Sequence, residues 1–381
     1  MHASKLLLAA VLAALLTSGL HAEEAAKAVQ PPAPPTIELA ICLDVSGSMK
    51  GLVDSARAKI WSIVNDLALA KPTPRLRVAL LSFGHQTYPE ADGWVRVESN
   101  LTDDLDLISQ KLFALTLNGG NEYVGRVMQR SLDELTWSKD AKALKIMIVA
   151  GNEGADQDQK VNYREVSKRA IASGIMVNTI YCGSPADQIA PGWKEAALLA
   201  DGHFATIDQN RGTVNVATPF DARIVELSTA LNATYIPLGT QGKKGLANQS
   251  VQDRNAQGLS SSAAAGRALS KSSKLYNCSW CLVDAVRTKQ IDLTKVDKKD
   301  LPKELQDKTP EQIQAILDKK YAERQKIQKE IQEINTKRAA FVTGEMKKKS
   351  LTDARAFDAA IRKSIRSQAA SKGYAFTEET K

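Results

Sequence analysis

The sequence predicts an α/β fold: a doubly wound, mainly parallel sheet covered by helices on both faces, followed by a polar linker and a helical C-terminal region. From Thr36 to about Tyr235, apolar runs of strand length alternate with amphipathic stretches of helical period. That alternation is the signature of βα repeats around a twice-covered parallel sheet. Beyond Leu282 strand patterns stop and charged helical patterns take over. The composition, 43% hydrophobic and 25% charged, is that of an ordinary globular chain. It excludes wholesale disorder, a collagen-like repeat and a polytopic membrane protein.

The elements follow in chain order. Lys5 precedes an unbroken Leu/Ala/Val run from Leu6 to Leu16, then small residues to Ala22 and acidic Glu23-Glu24. This is the pattern of a secretory signal peptide over residues 1–22, cleaved after Ala22. The apolar run is shorter than the ~20 residues of a spanning helix. The expected product is exported, soluble after cleavage, and periplasmic or extracellular. Residues 23–35 form an Ala/Pro-rich, extended linker.

The α/β domain spans 36–235. Ile37–Leu43, Leu76–Phe83, Leu144–Val149 and Ile175–Tyr181 read as buried strands, with shorter ones at Trp94–Val97 and Phe204–Ile207. Helical spacing covers Leu52–Ala70, Asp104–Leu115, Val124–Leu135, Tyr163–Ser173, Trp193–Ala200 and Phe220–Leu231. Residues 236–276, rich in Gln, Gly, Ser, Ala and Asn, read as a flexible polar linker. Residues 277–381 are basic and helical. Thr309 is an N-cap and Pro310 the first helical residue of a long helix. Its spacing admits a short coiled coil over 311–342, but Lys320 and Arg324 stand in the seam. A helical hairpin, with Ala356–Ala370 packing back, is the preferred reading.

Charge divides the chain. Residues 1–240 hold 22 Lys and Arg against 26 Asp and Glu, and the remainder 29 against 17, for a net +8. A basic tail that includes Lys337, Arg338 and Lys347–Lys349 could meet an anionic membrane surface or an acidic partner. An exported protein rarely meets nucleic acid, and none is expected as a partner. Among the cysteines, Cys42 and Cys182 sit in apolar strands and read as buried. Cys278 and Cys281 form a Cys-x-x-Cys that leaves a local disulfide and free thiols both open. No second pair accompanies them, so zinc is not indicated.

The chemistry concentrates at Asp44-Val45-Ser46-Gly47-Ser48, where the first strand ends and a helix begins. In an open parallel sheet ligands bind beyond the carboxyl ends of strands. One carboxylate and two hydroxyls, spaced two apart on a turn, are hard oxygen donors suited to Mg²⁺. The same residues also suit capping of the following helix.

Asp-x-Ser-x-Ser at the end of a first strand resembles the metal-ion-dependent adhesion site of von Willebrand factor A-like domains. The resemblance covers about Thr36 to Tyr235 and looks like a bacterial exported branch with altered ligands. It implies a Rossmann-like sheet that binds a protein partner through a divalent cation, Mg²⁺ or else Mn²⁺ or Ca²⁺, completed by an acidic residue of the partner. The family's Thr in a Gly-Gly-Thr loop corresponds to Asn121 of Gly119-Gly120-Asn121-Glu122, with Glu122 as the alternative. The family's Asp after the fourth strand corresponds to Gly151, with Asn152 and Glu153 as substitutes. The expected metal ligands are therefore Asp44, Ser46, Ser48 and Asn121, with Glu122, Asn152 and Glu153 in reserve. His85, Glu122 and Glu153 are expected on the rim that meets the partner.

No Ser-His-Asp arrangement sits in a nucleophile elbow, and no Walker-type loop is present, so an enzyme is not expected. The leading function is an exported protein-binding module, for adhesion or scaffolding, with optional cation assistance. The alternative is a metal-free structural scaffold whose basic helical tail binds an envelope component or an acidic partner.

Overall fold

A strand buried on both sides needs apolar residues at consecutive positions, and β1 (Thr36–Asp44) has them from Ile37 to Leu43 except for Glu38. In the computed structural model, which describes residues 34–208, 215–349 and 357–376, β1 is the centre of the sheet. The signal peptide and nearly all of the 23–35 linker lie outside the described residues. From Pro35 onward the chain forms one unit.

Helix α1 (Lys50–Ala68) follows β1, then the two-residue β2 (Ala70–Lys71) and β3 (Arg75–Phe83). Next come β4 (Val95–Thr102), α2 (Leu105–Ala114), α3 (Val124–Glu134) and β5 (Leu144–Gly151). After these stand α4 (Tyr163–Ala172), β6 (Ile175–Tyr181), α5 (Ala190–Leu198) and β7 (Phe204–Thr206). The sheet order is β4-β3-β1-β5-β6-β7, parallel except for β4, which runs antiparallel to β3. The predicted short strand at Trp94 is longer than its apolar residues suggest, because β4 is an edge with partly exposed polar positions.

Side chains alternate across a strand, and β1 builds two cores. Ile37, Leu39, Ile41 and Leu43 face one core with α1 and α2, including Leu52, Ile60, Val64, Leu105 and Ile108. Ala40 and Cys42 face the other, with Val127 and Met128 of α3, Val166 of α4 and Trp193 of α5.

Behind the sheet stand α6 (Asp221–Asn232), α7 (Gly239–Leu259), α8 (Ser261–Lys271), α9 (Leu282–Arg287), α10 (Pro310–Lys348), α11 (Phe357–Ser371) and β8 (Ala375–Phe376). The 236–276 segment is therefore not a flexible linker. Helix α7 buries Gln249, Gln252, Asp253 and Ala256, a helical face made mostly of polar groups. Their partners are polar too. Arg267 of α8 meets Asp106 of α2 at 2.6 Å and Asp253 at 3.0 Å. Lys271 meets Asp253 at 2.7 Å and Asn232 at 2.6 Å. Ser109 donates to Gln252. A buried set in which every charge is paired holds this helical layer to the sheet's own helices.

Helix α10 is one helix opened by the expected Thr309 N-cap, which the structure extends to a capping box with Gln312. It lies against α6, α8 and α9, and no second long helix runs beside it among the described residues, so the coiled coil over 311–342 is not what it forms. Arg324, read as an interruption of the seam, is buried in it. It reaches Asp284 at 2.5 Å and the Thr234 carbonyl at 2.9 Å, and lies over the Tyr235 ring.

The hairpin reading also fails. Helix α11 packs mainly on α1 and reaches β5 and β6, and its Phe357, Ile361, Ile365 and Ala369 enter the first core. Arg366 grips Asp66 of α1 through both Nε and Nη2. Gln368 and Asn178 of β6 exchange a reciprocal pair of amide hydrogen bonds at 2.9 Å each. Strand β8 then pairs with β2. The last described helix thus closes one face of the sheet, and residues 36–235 do not contain the whole α/β layer.

Candidate functional site

The carboxyl ends of β1, β3 and β5 lie side by side, with Asp44 opposite Phe83 and Leu43 opposite Ala150. The chain leaves β1 for β3 on one side and later builds β5, β6 and β7 on the other, so the crevice above Asp44 is where a ligand site is expected in such a sheet. The loops that close it are residues 45–49, 84–88, 116–123 and 152–157.

Asp44 is fully buried. Its Oδ1 accepts the Ser46 amide at 2.8 Å, which makes the turn after β1. Ser46 and Ser48 follow with their hydroxyls 3.2 Å apart, and the Asn152 amide donates to Ser48 Oγ at 3.2 Å. Glu122, from the loop before α3, reaches in beside Asp44, both side chains lying against Gly84. Its amide is held by Gln157 Oε1 at 3.3 Å.

Two buried acids that face each other cannot both ionise freely. Burial pushes Asp44 up to about 6, against the pull of the Ser46 hydrogen bond. Burial, then the charges of Asp44 and Glu153, pushes Glu122 up to about 8. Asp44 Oδ2, Glu122 Oε2 and Asn152 Oδ1 are buried without a hydrogen-bond partner. An unsatisfied buried polar atom costs about 1–3 kcal/mol, more when charged. Carboxylate, hydroxyl and amide oxygens gathered with spare lone pairs are the donor set of a hard divalent cation. The residues therefore fit Mg²⁺, Mn²⁺ or Ca²⁺. Among the described residues no group of three or more His, Cys, Asp and Glu forms a metal cluster, so hydroxyls and amides have to complete such a site.

The sequence-predicted residues separate here. Asp44, Ser46, Ser48, Glu122 and Asn152 come together. Asn121 is exposed on its loop, and it is Glu122 that turns inward. Glu153 stands farther out. Its carboxylate takes Gln157 at 3.3 Å and its carbonyl takes the Trp193 indole at 2.7 Å. An acid at position 151 has no room here, since a Cβ on Gly151 would lie 2.9 Å from Asp44 Oδ2 and 3.1 Å from the Trp193 ring.

His85 is not a rim residue. It is buried, stacked on Tyr88, with Nδ1 2.9 Å from Thr87 Oγ1 and Nε2 3.2 Å from Thr116 Oγ1. It ties the 84–88 loop to the 116–123 loop. Sequence reasoning missed Gly84 at this point. It has φ +84°, and a Cβ there would lie 2.8 Å from Glu122 Cγ and 3.0 Å from Asp44 Oδ1. The only sequence signal was a glycine directly after the second long strand.

Cys278 and Cys281 are not disulfide-bonded in the structure but buried free thiols. Cys281 Sγ takes the Ile236 amide at 3.4 Å and Arg324 at 3.5 Å. In the basic tail, Arg338 pairs with Asp221 at 2.8 Å, and Lys348 and Lys349 lie 3.1 and 3.3 Å from Glu345. Among the described residues no helix is long and apolar enough to cross a membrane.

Comparison with known proteins bears on the same region. Residues 38–190 match the family model of the von Willebrand factor type A domain. Among solved structures, the SpRpn10 VWA domain is 17% identical with a TM-score of 0.36, over 49% of this chain and 100% of that one. Proximal thread matrix protein 1 from the mussel byssus, with a zinc-occupied MIDAS motif, is 14% identical with a TM-score of 0.38, over 47% and 43%. The pilus adhesin SpaC from Lactobacillus rhamnosus GG, in its open conformation, is 15% identical with a TM-score of 0.35, over 47% and 28%. This chain thus spans less than half of the byssus protein and of the adhesin. No curated protein matches.

Proposed function

We propose that the von Willebrand factor type A domain of this chain is a non-enzymatic protein-binding module that holds a divalent cation above Asp44 and captures a partner there. The observation that carries this reading is the closed set of Asp44, Ser46, Ser48, Glu122 and Asn152 at the carboxyl edge of the sheet, with spare buried oxygens pointing into it. Asp44 and Glu122 supply charge, Ser46 and Ser48 supply hydroxyls, and Asn152 fixes Ser48. A bound Mg²⁺ would neutralise the two acids and polarise the site for contact with a partner.

The site acts outside the cytoplasm, after cleavage at Ala22. Mass spectrometry of the exported chain should find Glu23 as its first residue. Calorimetric titration of the full chain with Mg²⁺, Mn²⁺ and Ca²⁺ tests the cation, and Asp44→Ala should abolish the binding while leaving the circular dichroism unchanged. Partner capture by crosslinking in the exporting cell should fall in the same variant. Unchanged capture by folded Asp44→Ala would end this reading.

The alternative, a metal-free scaffold acting through its basic tail, draws support from exposed Lys347, Lys348 and Lys349. Much of the tail's arginine charge is used inside the molecule, by Arg324, Arg338 and Arg366. Strong salt dependence of binding to anionic vesicles would favour this second reading.

A further inference from the structure

The reading of the site as a cation site leaves open what completes the ion. We infer that Glu122 is a second carboxylate ligand supplied from within the chain, and that this face therefore takes a neutral or basic group from a partner, not an acidic one. This rests on the proposed function and deepens it.

Glu122 is only 8% exposed and Asp44 not at all. Both side chains lie against Gly84, and each keeps one buried oxygen that nothing in the protein satisfies. Both spare oxygens belong to side chains enclosed by the same loops, so they point to one missing positive charge. The backbone is shaped to admit Glu122. Gly84 takes a left-handed conformation, and its missing side chain is where the Glu122 methylenes pass. Asn121, whose side-chain carbonyl was expected to reach the cation from the position of the family's Thr, is exposed on its loop.

Charge decides the consequence. Asp44 and Glu122 together balance one divalent ion. A partner carboxylate entering the same site would bring a third negative charge, with Glu153 adding a fourth nearby. At ligand distances in a partly closed pocket, each uncompensated like-charge pair is strongly unfavourable. A backbone carbonyl, a water or a basic side chain meets no such penalty, and Glu153 favours the last of these.

The test is Mn²⁺ binding to the full chain, followed by calorimetry and by the electron paramagnetic resonance of the free ion, with and without acetate as a carboxylate probe. Wild type should bind one Mn²⁺ with an affinity that acetate leaves unchanged. Glu122→Gln, which keeps shape and removes charge, should weaken it about tenfold or more. Glu122→Thr should also bind weakly, and acetate should now tighten it by filling the vacated position. Wild-type-like Mn²⁺ affinity in Glu122→Gln, or tightening by acetate in wild type, would overturn the inference. If Asp44→Ala abolishes binding while Glu122→Gln does not, the cation site stands and only the role of Glu122 falls. If wild type binds no Mn²⁺, both fall together.

Discussion

At the scale of single residues, Gly84 is the position on which the site's interior depends. A methyl group there meets Glu122 Cγ at 2.8 Å, and the left-handed φ of +84° costs an L-residue about 1–2 kcal/mol by itself. Gly84→Ala should therefore lower the urea midpoint and also displace Glu122, so that Mn²⁺ affinity drops along with stability. Loss of stability with metal affinity intact would mean that Glu122 does not pass through this gap. The acids themselves make a pH prediction. Their ordinary values of 3.8 and 4.5 rise to about 6 and about 8 in the folded chain, so the native state holds these protons more tightly than the unfolded one. Their contribution is complete below pH 4 and is lost as pH rises through 6 and then 8. The metal-free protein should melt at a lower temperature at pH 8 than at pH 5, and Mg²⁺ should restore more at pH 8, where it replaces a proton already gone. Equal Mg²⁺ stabilisation at both pH values would count against a shared proton-and-cation site. Asp44, Ser46 and Ser48 were legible in the sequence because they are spaced two apart on one turn. The choice between Asn121 and Glu122 was not, because neighbouring loop residues point in opposite directions and only the surrounding loops decide which turns inward.

At the scale of elements, the strands and the helices between them were legible because their burial is apolar and periodic. Helix α7 was not. Its buried face is Gln249, Gln252, Asp253 and Ala256, and a polar face looks the same as a polar linker when only hydrophobicity is read. What makes the helix worth forming lies on other elements: Arg267, Lys271, Ser109 and the Tyr276 hydroxyl, which donates to Asp106 at 2.5 Å. Such a network is stable only when complete. Arg267→Met should leave Asp106 and Asp253 short of a buried counter-charge and cost about 3–5 kcal/mol in chemical unfolding. Arg223, whose pairs with Glu226 and Glu330 are exposed, gives the control: its replacement by Ala should leave the unfolding midpoint almost unchanged. Similar costs at the two positions would show that the buried network does not carry the layer.

At the scale of the whole molecule, the division of charge becomes an internal fit. The basic second part of the sequence sets Arg267 on Asp106, Arg338 on Asp221 and Arg366 on Asp66, all acids of the first part. The net +8, which pointed to an outside anionic partner, is in part the surplus left after the two halves have paired. Sequence reading placed the domain boundary at 235 because the last strand and helix pattern ends there. The structure places the closing helix more than a hundred residues later, since α11 covers α1 and the ends of β5 and β6. Nothing local in residues 36–235 announces that a face of the sheet is left open. Phe357, Ile361 and Ile365 are nearly fully buried. At about 1.5–3 kcal/mol for each large apolar side chain, their removal approaches the total stability of a typical domain, about 5–15 kcal/mol. A fragment of residues 36–235 should therefore bind a hydrophobic dye and melt without a sharp transition, and a chain ending at Lys349 should be destabilised in the same sense. The full chain should unfold in one cooperative step by both near- and far-ultraviolet circular dichroism. A fragment 36–235 that melts as sharply as the full chain would show the helical layer to be an appendage, and the paired charges between the halves to be decoration on a sheet that stands alone.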